Sequence, residues 1–307
     1  MKQIVLFGQA IIDFLCEADS DLIRSFGFQE KEFTLADIAS IQKLIRSSNI
    51  LYSDIGGCVT NTAIGLSKLE QECFMLYPLG SDENGRLYDA KLSEFERINR
   101  IPQHVIGDTG IVSTFVEQRD DNKKRTSVYN HGCSNSYDTD FPLDLFHDNV
   151  VVYISSFSLL DDNSSKVLRA LKYAKSFGAT IILDCGGISK LSDSTFRSLL
   201  DIYDGMISNS HELEWILKNS NMTLPDLSQN RFLVSKNGAE YTCVYYNGRL
   251  IGKILPQRIN HVENFIGAGD AFSAGFLKAF ANNYSLNDSV HAGNEYAGEI
   301  IKKVEFH

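Results

Sequence analysis

The feature that most restricts the fold of this chain is an alternation. Short apolar runs at residues 4–7, 73–79, 150–154, 180–183, 206–208 and 232–235 carry no regular polar positions. A strand with one wet face alternates apolar and polar side chains, so runs like these belong to strands covered on both faces. Helical patterns separate them: 35–46 behind Thr34 as a cap, 58–69, 84–98, 163–176, 210–217, 268–281 and 286–304. Before the last, Ser285 and Asp288 have the spacing of a capping box. Strands alternating with helices predict an α/β fold built on a mainly parallel sheet. Residues 11–33 and 107–131 break the rhythm. They predict short strands, including 111–118 and 126–130 around a polar loop at 119–125, that pair as a small sheet apart from the main one. The chain therefore reads as one unit: a core of about 1–10, 52–106 and 136–307, and a β appendage of about 11–51 and 107–135.

Composition narrows the function. The chain has 307 residues, 43% hydrophobic and 22% charged, within the ordinary globular range. Its net charge of −10 repels a phosphate backbone and argues against nucleic acid as a partner, while leaving room for a small phosphate ligand in a local site. The six cysteines are scattered, with no CxxC pair, which excludes a zinc or dithiol motif and points to a reducing, cytoplasmic setting. Lys2 and the apolar run after it faintly resemble a secretion signal, but Asp13 ends the run and no small-residue cleavage site follows, so a first core strand is expected. No apolar stretch reaches the roughly 18 residues of a membrane span.

Four local patterns could carry chemistry. Gly267-Ala268-Gly269-Asp270 stands directly before a nearly all-apolar helix. Glycines let a ligand approach the backbone, and the helix start offers unpaired N–H groups and a partial positive charge, an anion site. A carboxylate there, Asp270, could take a proton from an attacking hydroxyl, or could simply cap the helix. Gly56-Gly57 opens a second helix with Asn61 on its first turn, which could bind hydroxyls or be an ordinary early-helix residue. Asp13 follows the first strand, where parallel sheets bind ligands and where an Asp could equally be a solvated turn residue. Asn209-Ser210-His211-Glu212 lies between a strand and a helix, and a capping role suits it as well as a ligand role. The patterns GxxxxGK[ST], GxSxG and HExxH are missing, and Gly267-Ala268-Gly269 lacks the third glycine of a dinucleotide fingerprint.

Taken in order, these segments resemble the ribokinase-like, or PfkB, family of carbohydrate kinases over essentially the whole chain. Gly8-Gln9 through Asp13 resembles the family's GN-x-x-x-D opening, and Gly56-Gly57 through Asn61 and Ala63 its GG-x-x-x-N-x-A segment. Gly80 to Gly85 resembles its G-x-D-x-x-G turn, Asn209 to Glu212 its N-x-x-E motif, and Gly267 to Asp270 the GAGD core of its second signature. Asp108-Thr109-Gly110 through Arg125-Thr126, with Gly132-Cys133, leans toward the adenosine-kinase-like branch.

The resemblance implies a three-layer sandwich with a mainly parallel central sheet and a small β-sheet lid. It implies ATP-dependent phosphorylation of a primary hydroxyl of a sugar or nucleoside by a monomer or homodimer. Asp270 would be the base, with Gly267, Ala268 and Gly269 forming the anion hole. Asp13, Gly56, Gly57 and Asn61 would bind the substrate. Asn209, Gly238 and Asn294 would serve the nucleotide, and Glu212 would serve Mg2+ through water. Two departures stand out: Gln9 replaces the usual Asn, and Asn264 replaces a family Asp, which weighs against a monovalent-cation site. Two alternatives follow. One is a dedicated nucleoside kinase with Phe14, Phe26, Phe28 and Phe33 stacking a base. The other is a catalytically weak nucleotide- or sugar-binding regulatory protein, suggested by Asn264-Phe265.

Overall fold

In a computed structural model, residues 1–29, 33–117, 125–138, 141–160, 164–259 and 267–302 are described. The chain runs β1 (Gln3–Phe7), β2 (Ile11–Glu17), α1 (Ser20–Ser25), β3 (Phe33–Leu35), α2 (Ile38–Arg46) and β4 (Asn49–Gly56). It continues α3 (Cys58–Lys68), β5 (Cys73–Gly80), α4 (Glu83–Leu92), β6 (Ile98–Val105), β7 (Gly110–Val116) and β8 (Arg125–Asn130). Next come β9 (Val150–Ser155), α5 (Ser164–Ser176), β10 (Thr180–Asp184), α6 (Asp193–Ile202), β11 (Gly205–Asn209), α7 (Ser210–Ser220) and α8 (Leu224–Ser228). The chain closes with β12 (Phe232–Lys236), β13 (Thr242–Tyr246), β14 (Arg249–Ile254), α9 (Ala268–Ala281) and α10 (Leu286–Lys302).

Among the described residues the strands form two sheets. The larger has the order β14-β13-β12-β11-β10-β9-β1-β5-β6, parallel except for the β12–β13–β14 edge. Its strands alternate between two cores. In β1, Ile4 and Leu6 join α3, α4, α9 and α10 on one face, while Val5 and Phe7 join α5 to α8 on the other. A large apolar side chain gains roughly 1.5–3 kcal/mol on full burial. With both faces covered, polar residues are confined mostly to the strand ends, as Ser155 and Asp184 are, hence the long apolar runs.

The smaller sheet has the order β3-β8-β7-β2-β4. One face packs on α1 and α2 through Cys16, Ile23, Ile41, Leu44, Ile111 and Phe115. The other carries two cross-strand rows, Asp54–Asp13–Val112 and Tyr52–Leu15–Thr114, set by the pairing of β4, β2 and β7.

Several elements differ from the sequence reading. Thr34 caps nothing: it lies in β3, and Asp37 caps α2 by accepting from Ser40 N at 2.8 Å. The helix expected to run to Ile98 ends at Leu92, and Ile98 begins β6. Leu92, Phe95 and Ile98 all pack on one core, so the apolar spacing persists after the helix has stopped. α6, β4 and the β13–β14 hairpin are additional elements. The hairpin turns on Asn247-Gly248, both with positive φ (49° and 74°), an Asn-Gly signal of the kind two-residue hairpins require.

Candidate active site

β9 and β5 flank β1 on opposite sides, and successive connections run outward from there in both directions. Parallel sheets bind ligands at such a switch point, beyond the carboxyl ends of the strands. A cavity of about 480 Å³ opens there, with Asp13, Asp54, Asn61, Gly267 and Asp270 among its walls. Its roof is the two-row face of the smaller sheet.

Asp270 sits in the first turn of α9. Asn61, on the first full turn of α3, donates Nδ2–H to Asp270 Oδ2 at 2.9 Å. Burial pushes the Asp270 carboxyl up to about 7, Asn61 pulls it down, Asp184 and Asp13 push it up, and Lys236 pulls it down. Gly267 takes the left-handed conformation (φ 78°) as the α9 N-cap, and among the described residues a Cβ there would meet no atom within 4 Å. A Cβ on Gly269 would meet only Lys236 Nζ, at 3.5 Å. Among the described residues, little crowds the head of α9 around Gly267, Ala268 and Gly269.

Asp13 lies opposite. Burial, then Asp54, pushes its carboxyl up to about 7. Asp54 goes the other way. Burial raises it, but hydrogen bonds from Lys91, Tyr52 and the Ile55 N–H leave it below the usual carboxylate range. Gly56 is glycine for a steric reason: a Cβ there would collide with the Asp13 carboxylate. Gly57, at φ 101°, turns the chain from β4 into α3. Asp13, Asn61, Gly267 and Asp270 thus share the cavity's walls, while Gly56 lies against the Asp13 carboxylate and Gly57 heads α3, neither lining the cavity itself.

Asn209 and Glu212 form a reciprocal capping box on α7. Asn209 N donates to Glu212 Oε2 and Glu212 N to Asn209 Oδ1, each at 2.8 Å. The structure thus realises the capping alternative. The carboxylate still belongs to the same electrostatic cluster: burial raises Glu212, Asp184 adds to this, and Lys236 opposes it. Gly238 (φ 56°) sits in the turn after β12 with open space where a Cβ would lie. Asn294, on α10, accepts from Thr242 Oγ1 at 3.4 Å, and its Nδ2 is buried with no hydrogen-bond partner. The segment containing Asn264, Phe265 and Ile266 lies outside the described residues.

Motif reading missed Asp184 and Lys236. Asp184 ends β10, accepting from Tyr153 Oη at 3.0 Å and Gly186 N at 2.8 Å. Lys236 ends β12, in register with Asn209. Each directly follows an apolar run that the sequence displays, and that position is the signal that could have found them. Cys58 marks the centre. Burial pushes its thiol well up, and Asp270, Asp184 and Asp13 push it further, so it is no thiolate nucleophile.

The G-x-D-x-x-G turn does other work. Asp82 caps α4 through Gly85 N at 2.9 Å and holds Thr109 N and Oγ1, at 3.1 and 2.5 Å, at the entry to β7. Of the lid phenylalanines, Phe14 lines the cavity, while Phe26 and Phe28 pack in the small sheet's own core. The Phe33 side chain lies outside the described set. No helix among the described residues is long and apolar enough to cross a membrane.

Comparison with known proteins identifies the family and the fold. The sequence profile described as pfkB family carbohydrate kinase matches residues 43–305. A 5-dehydro-2-deoxygluconokinase of Mesomycoplasma hyopneumoniae is 24% identical over 265 residues, 78% of this chain and 76% of that protein. A nucleoside kinase of Methanothermobacter thermautotrophicus is 22% identical over 250 residues, 80% and 78% of the two chains. The crystal structure of adenosine kinase from Sinorhizobium meliloti has the same fold, with a TM-score of 0.81 over 99% of this chain and 94% of that one at 18% identity. With a profile match over most of its length and a ribokinase-like fold throughout, the chain belongs to the PfkB family of carbohydrate kinases.

Proposed function

We propose that the protein transfers the γ-phosphoryl group of ATP to a hydroxyl of a sugar or nucleoside held between the two sheets. The observation that carries this is the placement of Asp270. It is a carboxylate oriented by Asn61 on the wall of a cavity, beside a glycine-opened helix head of the kind that binds anions.

Asp270 removes the proton of the acceptor hydroxyl. The hydroxyl oxygen bonds to the γ-phosphorus, and the bond from that phosphorus to the bridging oxygen breaks with its electron pair passing to ADP. The N–H groups at Gly267–Gly269 hold the phosphoryl oxygens as charge spreads over them. Asp13 and Asn61 fix the acceptor, and the smaller sheet excludes water from the cavity. Asn294 Nδ2, buried without a partner, is suited to an acceptor atom of the base.

Magnesium here would keep most of its waters and bridge to the phosphates. Among the described residues no cluster of three or more His, Cys, Asp or Glu could cage an ion. Glu212 and Asp184 instead make an acidic patch of the kind that holds a hydrated Mg2+, which neutralises phosphate charge when bound.

The cavity walls include Phe14, Phe95 and Tyr296, apolar enough to seat a base as well as a sugar ring. The deciding experiment is ADP release with magnesium-ATP against nucleosides, neutral sugars and sugar acids, with and without potassium. We expect acceptor-dependent ADP release from at least one class, at a rate independent of potassium because Asn264 lacks a carboxylate. ATP binding without turnover on any acceptor would favour the regulatory alternative instead.

A further inference from the structure

Lys236 is placed in a way that packing alone does not account for. Its Nζ lies 5.3 Å from the centroid of the Phe272 ring, over its face, which stretches the side chain along the first turn of α9. The same atom is 3.5 Å from the point a Cβ on Gly269 would occupy. Among the described residues it has no hydrogen bond and no carboxylate within ion-pairing distance. Asp270, Glu212 and the Cys185 thiol feel its charge only through space. A cation at the positive end of a helix dipole is repelled by it. An ammonium kept there, half-buried and unpaired, is complementary to an anion that touches both the helix head and Nζ.

We propose that Lys236 is a catalytic residue that contacts the γ-phosphoryl group of the nucleotide over Gly269. This rests on the function proposed above. A lysine ammonium is a compact charge with three donors and serves phosphate as a point cation. Above the first turn of α9 it faces the group being transferred rather than the acceptor cavity, whose walls do not include it. In the transfer step it loses no proton. It stabilises the charge on the γ-phosphoryl oxygens while the bridging P–O bond breaks and Asp270 takes the hydroxyl proton.

The test is magnesium-dependent binding of β,γ-imido-ATP, ADP and AMP, measured by calorimetry on the full chain and its Lys236→Met, Lys236→Gln and Lys236→Arg variants. Thermal unfolding of each variant runs alongside. Loss of a charge-assisted hydrogen bond weakens binding by about 10- to 100-fold. We expect that loss for the imido-ATP in Lys236→Met and Lys236→Gln, a change of less than about 3-fold for ADP and AMP, and substantial recovery in Lys236→Arg. Equal losses for ADP and imido-ATP, or none for either, would overturn the γ-phosphoryl assignment. If the unsubstituted protein bound neither nucleotide, the proposed function itself would fail, and this assignment with it.

Discussion

Asp13 and Asp270 combine burial and charge in an unusual way. Both carboxyls are pushed up to about 7, chiefly by burial. In the unfolded chain they lose their protons near pH 4. Between pH 4 and 7 the folded protein therefore holds more protons than the unfolded one, so their contribution to stability falls as pH rises across that window and stays low above it. Replacing either with Asn removes the burden. We expect Asp13→Asn and Asp270→Asn to melt on the order of 2–5 °C higher than the unsubstituted protein at pH 8, with the gain shrinking toward pH 4. Unchanged or lower melting at pH 8 would mean that these carboxylates are not held at the expense of stability. At this scale the sequence was informative. Asp13, Asn61 and Asp270 stand out because each sits beside glycines or just past an apolar run. Asp54 did not stand out, because only the pairing of β2 with β4 brings it next to Asp13.

Helix starts separate structural from functional capping. Asp37 caps α2, which packs on the smaller sheet, and is not among the cavity walls. The Asn209 side chain caps α7 by accepting from the Glu212 N–H, while the Asn209 backbone N–H donates to the Glu212 carboxylate. Loss of either cap costs about 1 kcal/mol. We expect Asp37→Ala to lower urea stability by that amount with unaltered turnover. Asn209→Ala should show a similar stability loss together with a drop in turnover of at least about 10-fold, because the first turn of α7, which carries Glu212, loses the Asn209 Oδ1 anchor on the Glu212 N–H. Equal turnover in both variants would leave the box purely structural. Element types were read well where a strong cap or glycine sits at the boundary, as at Gly57 and Gly267. They were misread where burial continues past the end of a helix, as from Leu92 to Ile98. The β13–β14 hairpin carries its own turn signal in Asn247-Gly248.

For the whole molecule, topology does what motifs cannot. Asp184, Glu212, Lys236 and Asp270 come from β10, α7, β12 and α9, and only the parallel order of the sheet gathers them at one rim. A net charge of −10 likewise says nothing of the Lys236 ammonium set at the head of α9. The α/β class and the two-sheet arrangement follow from the unbroken apolar runs and the breaks between them. β4 was the hidden member of the smaller sheet, because its first residues Asn49, Ile50 and Leu51 are exposed and give no period-2 signal. The central claim is that this assembly uses Asp270 as the base for transfer to an alcohol. The most direct measurement compares acceptor-dependent ADP release by the unsubstituted protein and by Asp270→Asn, with nucleotide binding measured in parallel. We predict a loss of roughly 100- to 10,000-fold in turnover with nucleotide affinity within about 3-fold. Near-equal turnover in the two proteins would contradict the account.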